Sequence, residues 1–564
     1  MSLNGALHVG RSALAASQSA LQVAGNNMAN AATEGFHRRS VHLSPIRGDV
    51  IGRNQFVGRG VQLVSIHREI DTALQSRYRD AVSDERANLI DQRFLTAIET
   101  LQNELSENDI STMLSEFFNS FSEVANSPSD NAVRAVAIQQ GTSLANRISD
   151  LRADYRETLD QVDRQLATAV DSVNGLLDQI ADINGQIAQS EPGVGEASAL
   201  RDQRDLLIDQ LSEYMDVTVI EQESGSADIL VSSVPVVLAG VSRGVELRTE
   251  SVDGGLEVSI RVAADGTDLD VDSGTIGGLM RQRENTVQPV IDALEEFTGQ
   301  LIFQVNRLHS RGQGQQGFDS VTGTYAVNDT TANLNSGDAN LPFRIENGSF
   351  FIHLTHSDSG QRTSYQIDID GDSMSLDDLI AEMNTVVGVP NVTAGVNAEG
   401  AFTLAADAGY EISFSDDTSG ALAALGVNTF FTGRTANTIA VNQVLLDDST
   451  MLAVGAGHVP GSNDTALAIA DLQDVALDDL GGVSLREYWL DSVNSLAVRT
   501  ATANEAVESS ELVRESLYSQ IQAVSGVSLD EESINLLTFQ RQFQAAARFI
   551  SVIDETLQIL LSLA

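Results

Sequence analysis

Apolar residues recur every seven positions at both ends of this chain. Near the start, Leu7, Leu14, Leu21 and Met28 form one stripe, and Gly10, Ser17, Ala24 and Ala31 fill the alternate seam. Near the finish, Leu536, Phe543, Ile550 and Leu557 form one stripe, and Phe539, Ala546, Ile553 and Leu560 form the other. A heptad seam becomes buried only against another helix. Small residues on one end and Phe, Ile and Leu knobs on the other predict that the ends pack on each other, or on copies from neighbouring chains. Seams at chain termini, where no other core is at hand, favour packing between chains over a hairpin within one. The helix predicted over 3–30 is weak by itself. Each of Gly5, Gly10 and Gly25 costs on the order of 1 kcal/mol relative to Ala. A buried Leu contributes about 1.5–3 kcal/mol, but only once a partner covers it. This helix is therefore expected to order on assembly.

Between the ends, helical and β patterns alternate. Gly35 ends an Asn/Thr-rich turn, and Arg39, Val41 and Leu43 then alternate with Arg38, Ser40 and His42 as in a strand. Residues 70–215 read as largely helical, with Ile90, Phe94, Ala97, Leu101 and Leu105 on one face and Leu114, Phe117, Phe121 and Val124 on another. The break at Asn126-Ser-Pro-Ser-Asp130 precedes a long helix from about Asn131 to Ser190. A turn at Glu191-Pro-Gly-Val-Gly195 leads to a helix through Leu200, Leu207, Ile208 and Leu211. Short β runs follow at Val217–Ile220, Ile229–Val231 and Val234–Leu238. Helix returns over 274–310, with Ile291, Leu294, Phe297, Leu301 and Val305 on one face. Residues 313–469 read as mostly β, interrupted by one helix at about Ser375–Asn384. Helix resumes from Leu485 to about Gln522, and Ser528-x-x-Glu531 is a capping box for the last helix.

The fold class is α+β and multidomain. Terminal helices form a coiled coil, a helical bundle forms a stem, and β-rich outer domains are inserted into it. The expected divisions are 1–45 plus 526–564 as the terminal coiled coil, and 46–215 plus 270–312 plus 470–525 as the stem. Residues 216–269 form a small β insert and 313–469 the outer β domain.

Charge changes this picture. The chain has 79 acids against 33 bases, a net of −46, and every base is Arg. Such an acidic excess opposes binding to nucleic acid or anionic membrane. Residues 1–60 carry Arg11, Arg38, Arg39, Arg47, Arg53 and Arg59 against Glu34 and Asp49, a net of +4. Residues 526–564 carry Asp530, Glu531, Glu532, Asp554 and Glu555 against Arg541 and Arg548, a net of −3. Acid is kept off the seams, and the opposite charges of the two ends help them meet. There is no Cys, which excludes disulfides, thiolate metal sites and a Cys nucleophile. The start lacks the basic segment and unbroken apolar run of a secretory signal. No stretch reaches the roughly 18 apolar residues of a membrane span.

The search for chemistry finds little. His353 and His356 stand three apart, on opposite faces of a strand, and cannot share an ion. Asp368-Ile-Asp-Gly-Asp372 has its Gly at the fourth place rather than the sixth of a calcium loop, and reads as a turn between strands. No phosphate-binding glycine loop, no His-Glu-x-x-His and no convincing Ser/His/Asp grouping occurs. Trp489 reads as core. No cofactor and no metal are expected, and an enzyme is the least favoured class.

Residues Gly25-Asn-Asn-Met-Ala-Asn-Ala-Ala-Thr-Glu-Gly-Phe-His-Arg-Arg39 resemble the N-terminal signature of bacterial flagellar rod, hook and hook-associated proteins, with Asn26, Asn27, Asn30, Thr33, Gly35 and Phe36 matching it. The stretch from Gly526 to Arg541 and the Ala- and Leu-rich seam beyond it are similar to the C-terminal helix of that family. Phe117-Phe-Asn-Ser-Phe121 with Ala125-Asn-Ser-Pro128, Asp202-Gln-Arg-Asp205 with Leu211-Ser-Glu213, and Leu425-Gly-Val-Asn-Thr-Phe-Phe-Thr-Gly433 with Ile439-Ala-Val-Asn442 resemble the hook-associated proteins of the hook–filament junction.

The resemblance implies a structural subunit, exported through the flagellar type III apparatus without a cleaved signal peptide and located outside the cell in the flagellum. It implies self-assembly into a ring-like or helical layer through Leu7, Leu14, Leu21, Met28, Leu536, Phe539, Phe543, Ile550, Ile553, Leu557 and Leu560. It implies as partners the hook protein, a second junction protein and a cytoplasmic export chaperone at the C-terminal helix, with no nucleic acid and no membrane insertion. A hook or rod subunit, and a secreted adhesin with a helical stalk, are the alternatives.

Overall fold

Apolar side chains three and four apart set the long helices of this chain, and Pro-, Gly- and Asn-rich breaks end them. In the computed structural model the described residues are 3–563 except 53–54, 105–107, 193–194, 253–254, 389–390, 457–458 and 460. Leu105 of the expected apolar face, and Gly193 and Val194 of the expected turn, lie outside the described residues. The chain divides into two units: Met1–Phe94 with Val162–Arg283 and Thr502–Ala564, and Leu95–Gln161 with Glu284–Ala501. These do not follow the segments expected from the sequence, since 46–215 contributes to both.

The first unit holds both terminal helices, Leu3–Ala29 and Leu529–Leu563. The N-terminal helix runs unbroken through Gly5, Gly10 and Gly25. After it, strand Arg39–Pro45 pairs antiparallel with Val61–Arg68, with a bulge at His42/Leu43. The later part of the helix Asn131–Ser190 buries Leu166, Val170, Val173, Leu177, Ile180 and Ile183 in steps of three and four, with Ile187 four further on. Asn184 and Asn174 interrupt that apolar row, and each amide clamps one strand residue from both sides. Asn184 donates to the Ala227 carbonyl (2.8 Å) and accepts from its N–H (2.9 Å). Asn174 does the same to Val245 (2.9 and 2.8 Å). The clamps attach a four-stranded sheet, in order Thr218–Glu221, Ala227–Val231, Val234–Leu238, Val241–Ser242, and the hairpin Val245–Val252/Gly255–Val262.

The second unit has two cores. In the helical one, Phe117 and Phe121 of helix Ile110–Asn126 pack at steep angles against Phe430, at centroid distances of 5.4 and 5.6 Å. Gly141 is needed there, because a Cβ would stand 2.5 Å from the Phe430 ring. Trp489 is buried against Phe297 (5.6 Å) and donates its Nε1–H to Glu104 (2.5 Å). The β core lies between two three-stranded sheets, built on Gly348–His356 and on Ala401–Ala406, and is filled by Phe350, Ile367, Leu379, Phe402 and Phe414. Helix Leu376–Met383 opens with a complete capping box, Ser375 and Asp378.

The expected β pattern stops earlier than 469. Past strand Tyr410–Ser415 the chain forms helices Ala421–Leu425, Gln443–Asp447 and Asp464–Asp471. Ala421–Leu425 is all Ala and Leu, good helix formers, and is too short for its period to be read.

His309 is fully buried in this unit. The Ala453 N–H donates to Nε2 (3.0 Å), so the neutral ring carries its proton on Nδ1 and donates it to the Asn428 carbonyl (2.8 Å). Burial pushes this imidazole down to about 4, against the pull of the Asn428 carbonyl. The unfolded chain then binds a proton that the folded chain refuses. Stability tied to this ring is complete above the ordinary His pKa near 6.5 and falls as pH drops from there to about 4. His309→Gln, which keeps a donor and an acceptor, is expected to lose about 3 kcal/mol less than wild type across that window. Urea unfolding at several pH values measures the difference.

Candidate assembly surfaces

The two terminal helices pair within one chain, and the small stripe closes the pair. Gly10, Ala16, Ser17, Ala20, Ala24 and Asn27 are the buried positions of the first helix. Ala546 and Ile553 are buried on the last. A Cβ at Gly10 would stand 2.7 Å from Ile550 Cγ1 and 3.2 Å from Phe549 Cδ1. Only a hydrogen at that position lets the helices come this close. Leu7, Leu14, Leu21 and Met28 are half-buried, as are Leu536, Phe539, Phe543, Ile550 and Leu557. Leu560 is exposed, together with Phe549, Val552, Ile559 and Leu561. An apolar groove of about 400 Å³ runs beside the seam, lined in part by Ala13, Ala20, Leu43 and Phe549.

The signature turn is a joint made by side chains. Asn27 is buried, donates to the Arg39 carbonyl (2.9 Å) and accepts from the Arg39 N–H (3.0 Å), so it completes the edge of the following strand. Asn30 donates to the Asn26 carbonyl (2.9 Å), and Thr33 bonds both the backbone (2.9 Å) and side chain (3.3 Å) of Asn30. Gly35 adopts φ +72°, and a Cβ there would sit 3.1 Å from Leu206. Phe36 is half-buried under the Arg39 guanidinium, 5.1 Å from its ring centre. The Arg38 N–H then bonds the Ser525 carbonyl (2.9 Å), which ties the joint to the segment leading into the last helix.

Beyond the joint lies a buried cluster of charge. Arg39 and Arg68 are directly opposed in the strand pair, an arrangement that repels. Asp202 relieves it by accepting from Arg39 (3.1 Å), Arg68 (3.2 Å) and the His37 Nδ1–H (2.9 Å). Arg68 also donates to Asp205 (2.6 Å) and Glu196 (2.7 Å). Burial alone would raise the Asp205 carboxyl, but Arg68, Arg79 and Arg204 around it hold it below the usual carboxylate range. Burial alone would lower Arg68, and Asp205, Glu196 and Asp202 more than reverse that. Arg38 reaches the first turn of the last helix, at Glu532 (2.9 Å) and Glu531 (3.4 Å). Opposite charges at the two chain ends therefore do meet.

The sequence marked Asp202 and Asp205 only through resemblance. Their spacing of three on helix Ser198–Ser212 puts both carboxylates on one face, and four basic side chains between residues 37 and 79 point to them. Among the described residues, no group of three or more His, Asp or Glu is placed to hold a metal ion. His353 is buried between the Ser364 and Ser415 hydroxyls (2.7 and 2.8 Å), while His356 stacks edge-on with Tyr410. Asp370 caps a turn by accepting from the Ser373 hydroxyl (2.6 Å) and the Asp372 N–H (3.2 Å). No helix among the described residues is long and apolar enough to cross a membrane.

A chain whose two ends close into one helical pair, with helices and β inserts threaded between them, has the build of an axial assembly subunit. The family comparisons agree. Residues 95–323 match the helical domain of flagellar hook-associated protein FlgK. Residues 7–37 match the flagella basal body rod protein model, and residues 519–563 match the C-terminal model of the rod FlgEFG proteins. Flagellar hook-associated protein 1 of Escherichia coli strain K12 is 24% identical over 98% of this chain and 98% of its own. The same-named protein of Bacillus subtilis strain 168 is 25% identical over 98% and 96%. The solved flagellar hook junction protein FlgK from Burkholderia pseudomallei aligns with a TM-score of 0.49 at 15% identity, over 80% of this chain and 100% of its own. Over nearly its whole length this chain is similar to the FlgK family of flagellar hook-associated proteins. The resemblance read from its residues, and the α+β multidomain class, are borne out.

Two substitutions test the geometry. Asp205→Asn leaves Arg68 buried with one fewer counter-charge and is expected to cost about 3–5 kcal/mol, read as a lower urea midpoint. Gly10→Val forces Ile550 aside and is expected to loosen the terminal pair by about 1–3 kcal/mol, read as faster proteolysis of residues 1–30 while the rest of the chain resists.

Proposed function

We propose that this chain is a non-enzymatic subunit of the flagellar axis that forms the junction between hook and filament by association through its terminal helices. The observation that carries this reading is the unfinished surface of the closed pair. Val552, Ile559 and Leu561 stay 59%, 60% and 75% exposed, and the Leu7, Leu14, Leu21 stripe is only half-covered. Large apolar side chains left in a row on a soluble chain mark a surface that a neighbour covers. Burying them at roughly 25 cal/mol per Å² favours a layer of copies over separate chains. Near-complete alignment with hook-associated protein 1 of two bacteria supports placing that layer at the hook–filament boundary.

Its partners in this reading are further copies, the hook protein below, a second junction protein above, and before export a chaperone on the C-terminal helix. Leu536, Phe539, Phe543, Ile550, Ile553, Leu557 and Leu560 are the side chains proposed to exchange contacts within the layer. In this reading the protein is exported and works outside the cell. The junction reading is preferred to a hook or rod subunit because the match to the FlgK helical domain covers 95–323, outside the segments matched by the rod models.

Deleting the coding sequence is expected to leave cells with hooks and no filaments, with filament monomer shed into the medium. Electron microscopy of such cells decides it, and attached filaments of normal length would refute the reading.

A further inference from the structure

Asn-Gly occurs four times in this chain, at 4–5, 174–175, 184–185 and 347–348. Gly has no side chain to keep its main-chain nitrogen away from the amide of the preceding Asn, so these pairs are where Asn is chemically weakest. The fold treats them differently. Asn174-Gly175 and Asn184-Gly185 lie inside the helix Asn131–Ser190, and both Asn amides are engaged in the clamps on Val245 and Ala227. Asn4 stands in the first turn of the N-terminal helix. Asn347 lies outside any helix, at a bend that leads into strand Gly348–His356. It is exposed, and its side chain bonds no described residue. Gly348 cannot give way to a bulkier residue, because a Cβ there would stand 2.6 Å from Thr418 Oγ1 and 3.0 Å from the Ser419 nitrogen. The close pass of residues 418–419 therefore keeps a glycine behind Asn347.

We propose that Asn347 is a site of spontaneous covalent modification in the folded protein, converting to aspartate and isoaspartate while Asn174 and Asn184 stay intact. The Gly348 main-chain nitrogen attacks the Asn347 side-chain carbonyl carbon. The new C–N bond closes a five-membered imide, the bond to the amide nitrogen breaks, and that nitrogen leaves as ammonia with the proton from Gly348. Water then opens the ring at one of its two carbonyls. One opening leaves an ordinary aspartate. The other routes the main chain through the former side-chain carbon and leaves isoaspartate, with one extra atom in the backbone. Each conversion consumes a water, releases ammonia and adds a negative charge, and nothing is oxidised or reduced. Inside a helix the Gly nitrogen is tied to its own carbonyl partner, so Asn174 and Asn184 react only through local opening.

The extra atom falls where the chain has no slack. The Glu346 N–H bonds the Ser419 carbonyl (2.9 Å), and the Ser349 N–H bonds the Thr418 hydroxyl (3.0 Å). Asn335 holds Ile345 from both sides (2.9 Å each). A longer backbone between Glu346 and Ser349 must break one of these ties, at the head of the strand that carries Phe350 into the β core. None of this depends on the junction reading.

The test ages the full chain at mildly alkaline pH and one temperature, folded in buffer and, separately, unfolded in guanidinium chloride. Mass spectrometry of proteolytic peptides follows each Asn-Gly pair over time. A protease that cuts before aspartate but not before isoaspartate separates the two products. In denaturant the four pairs are expected to convert at similar rates. In the folded chain Asn347 is expected to convert at least about tenfold faster than Asn174 and Asn184, which wait on helix opening. Conversion of Asn347 no faster than theirs overturns the proposal. So does an Asn347 that stays intact in folded protein for the time the denatured chain takes to convert. Asn347→Gln removes the five-membered closure and leaves an exposed amide in place. Aged wild type is expected to unfold at lower denaturant than fresh protein, and aged Asn347→Gln at the same denaturant as when fresh. An equal fall in both overturns the link from residue 347 to the β core.

Discussion

Two arginines facing each other across a strand pair make an arrangement that cannot stand without help, and much of the first unit is organised to supply it. Arg39 and Arg68 share Asp202, Arg68 also holds Asp205 and Glu196, and Arg79 and Arg204 close in on Asp205 from other sides. A buried carboxylate is costly unless cations surround it, and a buried guanidinium is costly unless carboxylates do. Neither set is tolerable alone, so the strand after the signature turn and the helix Ser198–Ser212 must form together. The turn, the strand and the path into the last helix are thereby fixed to the same scaffold, and the terminal pair is presented from a rigid base.

Where the sequence was legible, side-chain period was the reason. The helix Asn131–Ser190 shows its core row in steps of three and four, and its bounds follow from Pro128 and the Pro-Gly turn beyond Ser190. The terminal helices announce themselves through heptads. The charge cluster was not legible in the same way, because a carboxylate at 202 and an arginine at 68 have no period linking them. Only the register of a strand pair, invisible in sequence, brings Arg68 opposite Arg39. Likewise the heptads marked which helices pair but not which stripe closes. Volume decided that: the Gly10, Ser17 and Ala24 side admits close approach, and the bulkier Leu7, Leu14 and Leu21 side is left half-covered.

A quieter device recurs across both units. Asn27, Asn174, Asn184, Asn335 and Asn384 each use one amide to donate to a backbone carbonyl and accept from a backbone N–H, at Arg39, Val245, Ala227, Ile345 and Ala394. An Asn amide carries the same donor and acceptor as a peptide group, so it can stand in for the missing neighbour of a strand. Asp at these positions would lose the donor and bury a charge. Asn27, Asn174, Asn184 and Asn384 fall inside expected helices, where nothing in the period of the sequence marks an amide as a clamp.

Apart from the His37 imidazole, the buried cluster is built of guanidinium and carboxylate groups, in a chain that has no lysine at all. Guanidinium keeps its proton far into alkaline solution, where an ammonium would let go. Here the cations at the root of the terminal pair hold their charge under conditions that would discharge an amine, and acylating or aldehyde reagents that attack lysine find no side chain to modify.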